Sequence, residues 1–389
     1  VTGYPRLRTA ALATALVFAL SGMLLASWVS RLPTVRDQLA AGSAALGLAL
    51  LGPGAGSLLA MPATGRLSRR FGSRAVVAAT AFPACGVLVG LSLAPTVVAL
   101  GLALLVWGAL YGSWDVAMNI QGSAVERRAE RAWMPRYHAS WSVGAIVGAA
   151  MGALAARAGL SVTAHLLVVA LLAAVLLVVA LRLFIDERDE PAEEHHARAA
   201  AGRLFTRRLV LVGVVTLCAT TIEGAAADWL ALYLTDGRGV AASGAALGYT
   251  VFAVAMAASR FMGTPVIERL GRVSAVRLAG FVAGGGVVLT VAAPALLGAY
   301  LGAVAWGFGV ALVFPAAMSA GGEVPGRAGD AIAAVSTIGY GGFLLGPPLI
   351  GVLGQHVGLG SALLVLPVLA AGIVVLSPAL RPYAPPAAR

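Results

Sequence analysis

The chain has 389 residues, 60% of them hydrophobic and 11% charged, with a mean hydropathy of +0.91 and a net charge of +11. Soluble domains carry about 45–50% apolar and about 25% charged residues, so this composition excludes a water-soluble fold. All 27 basic residues are Arg and lie in short breaks between apolar runs, which excludes a nucleic-acid-binding domain.

A membrane-spanning helix needs about 20 mostly apolar residues. In chain order the apolar runs predict helices over Thr9–Ser30, Ala44–Gly65, Ala75–Ala94, Val97–Gln121, His138–Ala156 and Ser161–Phe184. A polar stretch, Ile185–Arg208, follows. The remaining helices are Leu209–Thr235, Ala242–Pro265, Val273–Ala293, Ala295–Ser319, Ala331–Gln355 and Gly360–Leu380. The first run is too long, and too polar at its exit, for a cleaved leader. The expected fold class is an all-α integral membrane protein of twelve transmembrane helices.

Arginine placement sets the topology. With the N-terminus in the cytoplasm, 22 arginines fall on the inner side and four (Arg31, Arg36, Arg157 and Arg238) on the outer, Arg260 lying inside a span. This follows the positive-inside rule and predicts a bacterial inner-membrane protein with both termini cytoplasmic. Arg127, Arg128, Glu130 and Arg131 read as a short amphipathic stretch on the lipid surface. The lipid bilayer is the expected partner, nucleic acid is not, and the protein is expected to be monomeric.

The chain repeats itself. Ala44–Gly47 recurs as Ala245–Gly248, Trp28 as Trp229, Arg70–Gly72 as Arg269–Gly271 and Trp107–Gly108 as Trp306–Gly307. Gly144 and Gly148 recur as Gly342 and Gly346, and Gly159–Leu160 as Gly358–Leu359. The offsets all lie within a few residues of one another, so the chain reads as two pseudo-symmetric six-helix halves. These are residues 1–184 and 209–389, joined by a cytoplasmic linker, 185–208. Parallel repeats of this kind place a solute site near mid-membrane and expose it alternately to each side.

The loop from Gly65 through Arg69, Arg70 and Gly72 to Arg74 resembles the signature of the major facilitator superfamily between its second and third helices. Glu268, Arg269 and Gly271 echo it in the second half. The family's acidic position, which helps to latch its two halves, is Arg69 here, while Glu268 retains an acid. Ala26–Asp37, Asp115–Asn119, Glu223–Trp229 and Gly346–Pro348 are similar to a bacterial YbjJ-type subgroup near the fucose-permease-like branch. The resemblance implies a transporter of small solutes, and in that branch a helix 4 carboxylate takes part in coupling. The helix 5 Gly-Pro pair of drug/proton antiporters is missing, because Ala149 follows Gly148.

Ionisable groups inside spans cost about 2.5–3.5 kcal/mol each on insertion scales, so they mark candidate function. Asp115 and Asn119, four apart, share a helix face, and His138 sits at the same depth. Burial disfavours a charged carboxylate, which suits Asp115 to bind and release a proton; a purely structural hydrogen bond is the alternative. Glu223 lies mid-helix, and Asp228 follows about 140° around a regular α-helix. Asp228 with Arg31 or Arg36 would make an outer gate, or else a solvated surface charge. Trp28 and Trp229 are expected to anchor at the membrane interface or to wall a cavity. Trp141 and Tyr340, with Tyr111 and Tyr249, could line it or face lipid. Arg260 reads as a tie to the inner surface. Gly144, Gly148 and Gly152, with Gly342 and Gly346, form stripes for close helix packing.

Cys85 and Cys218 read as inert core residues, and His195-His196 lacks further metal ligands nearby. No nucleotide-binding, nucleophile-elbow or metal motif is present, so an enzyme and a metal site are both unexpected, and a proton is the expected coupling ion. The leading expectation is a proton-linked secondary transporter of a small solute. Two others stay open: an uncoupled facilitator or exporter of an amphipathic compound, and a non-transporting receptor on the same scaffold.

Overall fold

The computed structural model describes residues 4–41, 43–188 and 206–383. Among them twelve helices are long and apolar enough to span a membrane. They are α1 Arg6–Leu32, α2 Ala45–Phe71, α3 Ser73–Leu91, α4 Val97–Ala129, α5 Met134–Arg157 and α6 Val162–Arg182. The others are α7 Arg207–Leu230, α8 Leu247–Leu270, α9 Arg272–Ala292, α10 Leu296–Gly322, α11 Ala328–Val357 and α12 Leu359–Leu380. Helices prevail because hydrocarbon offers backbone amides no hydrogen-bond partner outside the segment itself. The chain divides into two compact units. One holds Val1–Ala200 with Gly326–Ala333, the other Ala201–Pro325 with Ala334–Arg389.

Local sequence explains the helix ends. Thr96, Ser161 and Thr206 cap α4, α6 and α7 by accepting the amides of Ala99, Ala164 and Leu209 at 3.1, 3.1 and 3.2 Å. Between α2 and α3, Gly72 has φ +83°, and between α8 and α9 Gly271 has φ +74°. Both stand at the same place in the repeat, and both donate to the carbonyl four residues back, Ser68 and Ile267. Only glycine takes that backbone turn without strain.

Several boundaries depart from the sequence reading. The helix that contains α1 runs Tyr4–Gln38, so Arg31 and Arg36 are helical rather than in a loop. And α4 continues unbroken to Ala129, so Arg127 and Arg128 form its last turn instead of a stretch lying on lipid. Basic residues suit that turn, because they face the negative end of the helix dipole. Glu126, also in α4, accepts the Met134 amide at 2.6 Å and so starts α5 four residues before the expected His138.

The glycine stripes do what their spacing implies. In the first unit a Cβ on Gly144 would run into the Ala19 carbonyl of α1, and one on Gly148 into the Met23 carbonyl. Gly152 faces the Ser30 hydroxyl. In the second unit Gly342 faces Thr220 and Leu217 of α7, and Gly346 faces Thr221. Thr220 fixes that contact by donating to the Gly339 carbonyl at 2.6 Å.

The polar stretch after α6 begins as a packed segment. Gln121, fully buried in α4, donates its amide to the Ile185 carbonyl at 3.1 Å and accepts the Ile185 N–H at 2.9 Å. Arg128 donates to the Asp186 carbonyl at 2.8 Å. Glu187 takes both the amide and the hydroxyl of Ser73, capping α3 from outside it. Burial pushes the Glu187 carboxyl above its ordinary range, against the pull of those Ser73 bonds. The hydrogen bonds and charge of Arg188 hold Asp186 below its own. Glu190, Glu193, Glu194, His195 and His196 lie outside the described residues.

Two outcomes follow. Gly144→Val should destabilise the detergent-solubilised protein by about 1–3 kcal/mol through overpacking, whereas Gly86→Val, whose Cβ meets nothing within 4 Å, should leave melting almost unchanged. Glu187 binds its proton more tightly folded than unfolded, so its contribution is greatest while protonated. Stability should fall as pH rises from the ordinary carboxylate range through the raised Glu187 range. Thermal melting against pH should lose that slope in Glu187→Gln.

Candidate functional site

In the first unit the polar side chains converge on α4. Asp115 is 8% exposed and Asn119 is fully buried. One turn apart, they meet: Asn119 Nδ2 donates to the Asp115 carbonyl at 2.9 Å and reaches its Oδ1 at 3.4 Å. That leaves Asn119 Oδ1 as an acceptor, and His138 Nε2 of α5 stands 3.3 Å from it. With this amide orientation the His138 tautomer carries its proton on Nε2. The imidazole is held from its other side by Phe18 of α1, edge-on at 5.1 Å. One turn before Asp115, Tyr111 donates to the Ser21 carbonyl at 3.2 Å and accepts from Trp141 Nε1 at 3.1 Å. The Asp115 charge reaches the Tyr111 hydroxyl. Three helices, α1, α4 and α5, are thus joined by one polar chain inside an apolar bundle.

The second unit holds a different arrangement. Glu223 of α7 forms an ion pair with Arg260 of α8, at 3.2 and 3.4 Å. Arg260 is 4% exposed, so it is not a surface tie as its position in the sequence implied. Just after Glu223 the helix widens into a π turn, Ala226–Leu230, with another at Tyr233–Gly237. At the onset the Ala226 amide bonds to Glu223 O, one residue short of its α-helical partner. The Ile222 carbonyl so released accepts the indole N–H of Trp306 at 3.1 Å. A buried carbonyl must find a donor, and here a side chain of α10 supplies it. Single π turns inside α-helices often mark functional sites. The 140° separation expected for Glu223 and Asp228 assumed a regular helix and does not apply. Both charges reach the Tyr249 hydroxyl of α8.

Other expectations need correction. Arg31 donates Nη2 to the Leu160 carbonyl at 2.7 Å, and Arg36 pairs with Asp37 at 2.8 Å. Asp228 itself is exposed. Trp28 is 2% exposed and therefore packs inside the first unit instead of anchoring at a lipid interface. Trp229 lays its six-membered ring against Gly351 of α11. Tyr340 stacks edge-on with Phe343 at 5.9 Å, and Phe343 packs on Gly224 beside Glu223. At the signature loop Arg69 forms an ion pair with Asp330, which Arg327 approaches at 3.5 Å. All three belong to the first unit. An acid and a base thus meet there with Arg69 supplying the base. Gly65 is required at that contact, since a Cβ would strike the Gly329 backbone.

Twelve spanning helices, sparse buried charges and glycine-packed helix pairs define a polytopic transporter-like membrane protein. The family model of the Major Facilitator Superfamily matches residues 10–347, and the chain belongs to that superfamily. It is 37% identical over 365 residues to an uncharacterized transporter, y4wD, of Sinorhizobium fredii, covering 94% of this chain and 96% of the relative. It is 34% identical to an uncharacterized MFS-type transporter of Yersinia pestis, with 88% of each chain covered. It is 31% identical to the membrane protein MosC of Rhizobium meliloti, over 93% of this chain and 88% of the relative. Among solved structures, FucP in the outward conformation superimposes with a TM-score of 0.76 at 16% identity, over 95% of this chain and 97% of FucP. The proton:xylose symporter XylE does so with a TM-score of 0.80 at 12% identity, over 96% and 95%. The protein is a multi-pass membrane transporter, not an enzyme.

The Glu223–Arg260 pair should behave as a unit. Removing one partner strands a buried charge, which typically costs about 3–5 kcal/mol. Glu223→Gln and Arg260→Met should each lower the melting temperature sharply, and the double variant should recover most of the loss. Additive losses in that cycle would show that the two side chains are not coupled.

Proposed function

We propose that the protein is a proton-coupled secondary transporter of a small polar solute and that Asp115 carries the proton. The observation behind this is the buried Asp115 carboxylate, hydrogen-bonded through Asn119 toward His138 inside a spanning helix. A charge at that depth is unfavourable, so taking up a proton relieves it, and an amide beside it favours the ionised form. Glu223 is a weaker proton carrier, because Arg260 already offsets its charge. That pair, with Tyr249, Trp229 and Tyr340 around it, is better suited to bind the hydroxyls and apolar face of a solute.

The relatives lend support of a limited kind. FucP is a fucose:proton symporter and XylE a proton:xylose symporter, and both share this fold. A sugar-like solute and proton symport are therefore the first things to test. Within the superfamily we place the chain in the YbjJ-type subgroup near the fucose-permease-like branch. It would act as a monomer in a bacterial inner membrane, with both termini in the cytoplasm and halves 1–184 and 209–389 alternating access through the linker 185–208.

The test uses proteoliposomes with an imposed proton gradient and a panel of radiolabelled monosaccharides, including fucose and xylose. Wild type should concentrate at least one sugar and move protons with it. Asp115→Asn should abolish concentration while sugar exchange across equal concentrations persists. Undiminished concentration by Asp115→Asn would remove Asp115 from the coupling step.

A further inference from the structure

At the far end of the first unit from its signature loop, α1 and α6 bury two polar side chains that the transport reading leaves unused. Arg31 and His165 are each 3% exposed. Arg31 spends one N–H on the Leu160 carbonyl, and its Nε and Nη1 are buried without a hydrogen-bond partner among the described residues. Both ring nitrogens of His165 are in the same condition. Packing brings the two together: His165 and Ser30, the residue before Arg31, both border the Gly152 position. They converge on the start of α6: Leu160 directly precedes Ser161, the residue that caps this 21-residue helix. His165 closes the first turn, its Cε1 3.4 Å from where a Cβ on Gly152 would stand, beside Ser30.

Among the described residues no carboxylate pairs with Arg31. The nearest carboxylate along α1, Asp37, is exposed and taken by Arg36. The Ser30 and Ser27 hydroxyls donate to the carbonyls of Ser27 and Gly148, at 2.8 and 3.3 Å. A guanidinium, an imidazole N–H and the positive end of a helix dipole all favour an anion, and nothing beside them repels one. A buried unpaired charge is strongly unfavourable, so the arrangement calls for a counter-ion. The free nitrogens are fully enclosed, so the Arg31 side chain must shift to admit an ion, and only a small, single-atom one suits.

We propose that Arg31 and His165, at the N-terminus of α6, form a binding site for a halide ion of chloride size. The site is separate from the Asp115 and Glu223 clusters, so it stands whichever solute is carried.

The test measures thermal melting of the full-length protein in detergent as sodium chloride replaces sodium gluconate at constant ionic strength. Melting of wild type should rise with chloride and saturate, gluconate being too large to enter. Arg31→Met and His165→Leu should each abolish the rise. Equal melting of wild type in both salts, or a chloride response that survives in both variants, overturns the proposal. Should Arg31→Met not fold, crystals of wild type grown in bromide decide. Anomalous density touching the Arg31 guanidinium and His165 supports the site, and its absence there rejects it.

Discussion

Inside hydrocarbon a polar group without a partner has no water to turn to, and most of this structure can be read as the consequence. The backbone answers with helices. Where α7 widens and releases the Ile222 carbonyl, the indole of Trp306 takes it. Where an acid enters a span, something meets it: Asn119 beside Asp115, Arg260 beside Glu223. The same demand leaves Arg31 and His165 conspicuous, since no acceptor among the described residues meets their buried nitrogens. The few buried charges therefore divide by how they are met, and that division separates structural pairs from candidate working groups.

The internal repeat has been kept as a frame and varied in detail. Gly72 and Gly271 make the same left-handed turn in their two units, because each must reverse the chain in a single residue. Trp107 and Trp306 are equivalent by repeat, yet only the Trp306 indole has a backbone carbonyl to donate to. The helix containing α1 is α-helical from Tyr4 to Gln38, whereas α7 breaks into π turns. One repeat thus offers an acid–amide–imidazole chain and the other an ion pair beside a widened helix.

The shared fold carries less than its high superposition scores suggest. FucP and XylE match this chain over almost all of its length at 16% and 12% identity. Identity that low transmits the arrangement of helices and not the contents of a site. The chemistry must come from this chain's own side chains, chief among them Asp115 of α4, Glu223 and Asp228 of α7, and the aromatic residues packed near them.

The sequence by itself determined the class of fold. The apolar runs gave twelve spans, because hydrophobicity is a local property. It also brought out Asp115, Asn119 and His138, since helical spacing and a short turn place them at one depth. Only the tertiary structure decided which acid met which base. Arg260 and Glu223 are 37 residues apart and join because α7 and α8 pack together. Arg69 and Asp330 join across most of the chain, and Arg31 turns to Leu160 rather than to an acid. Nor did any residue in Glu223–Trp229 announce a π turn, beside which the Trp306 indole donates to the Ile222 carbonyl. Pairing and helix defects of this kind are settled by neighbours that sequence distance does not reveal.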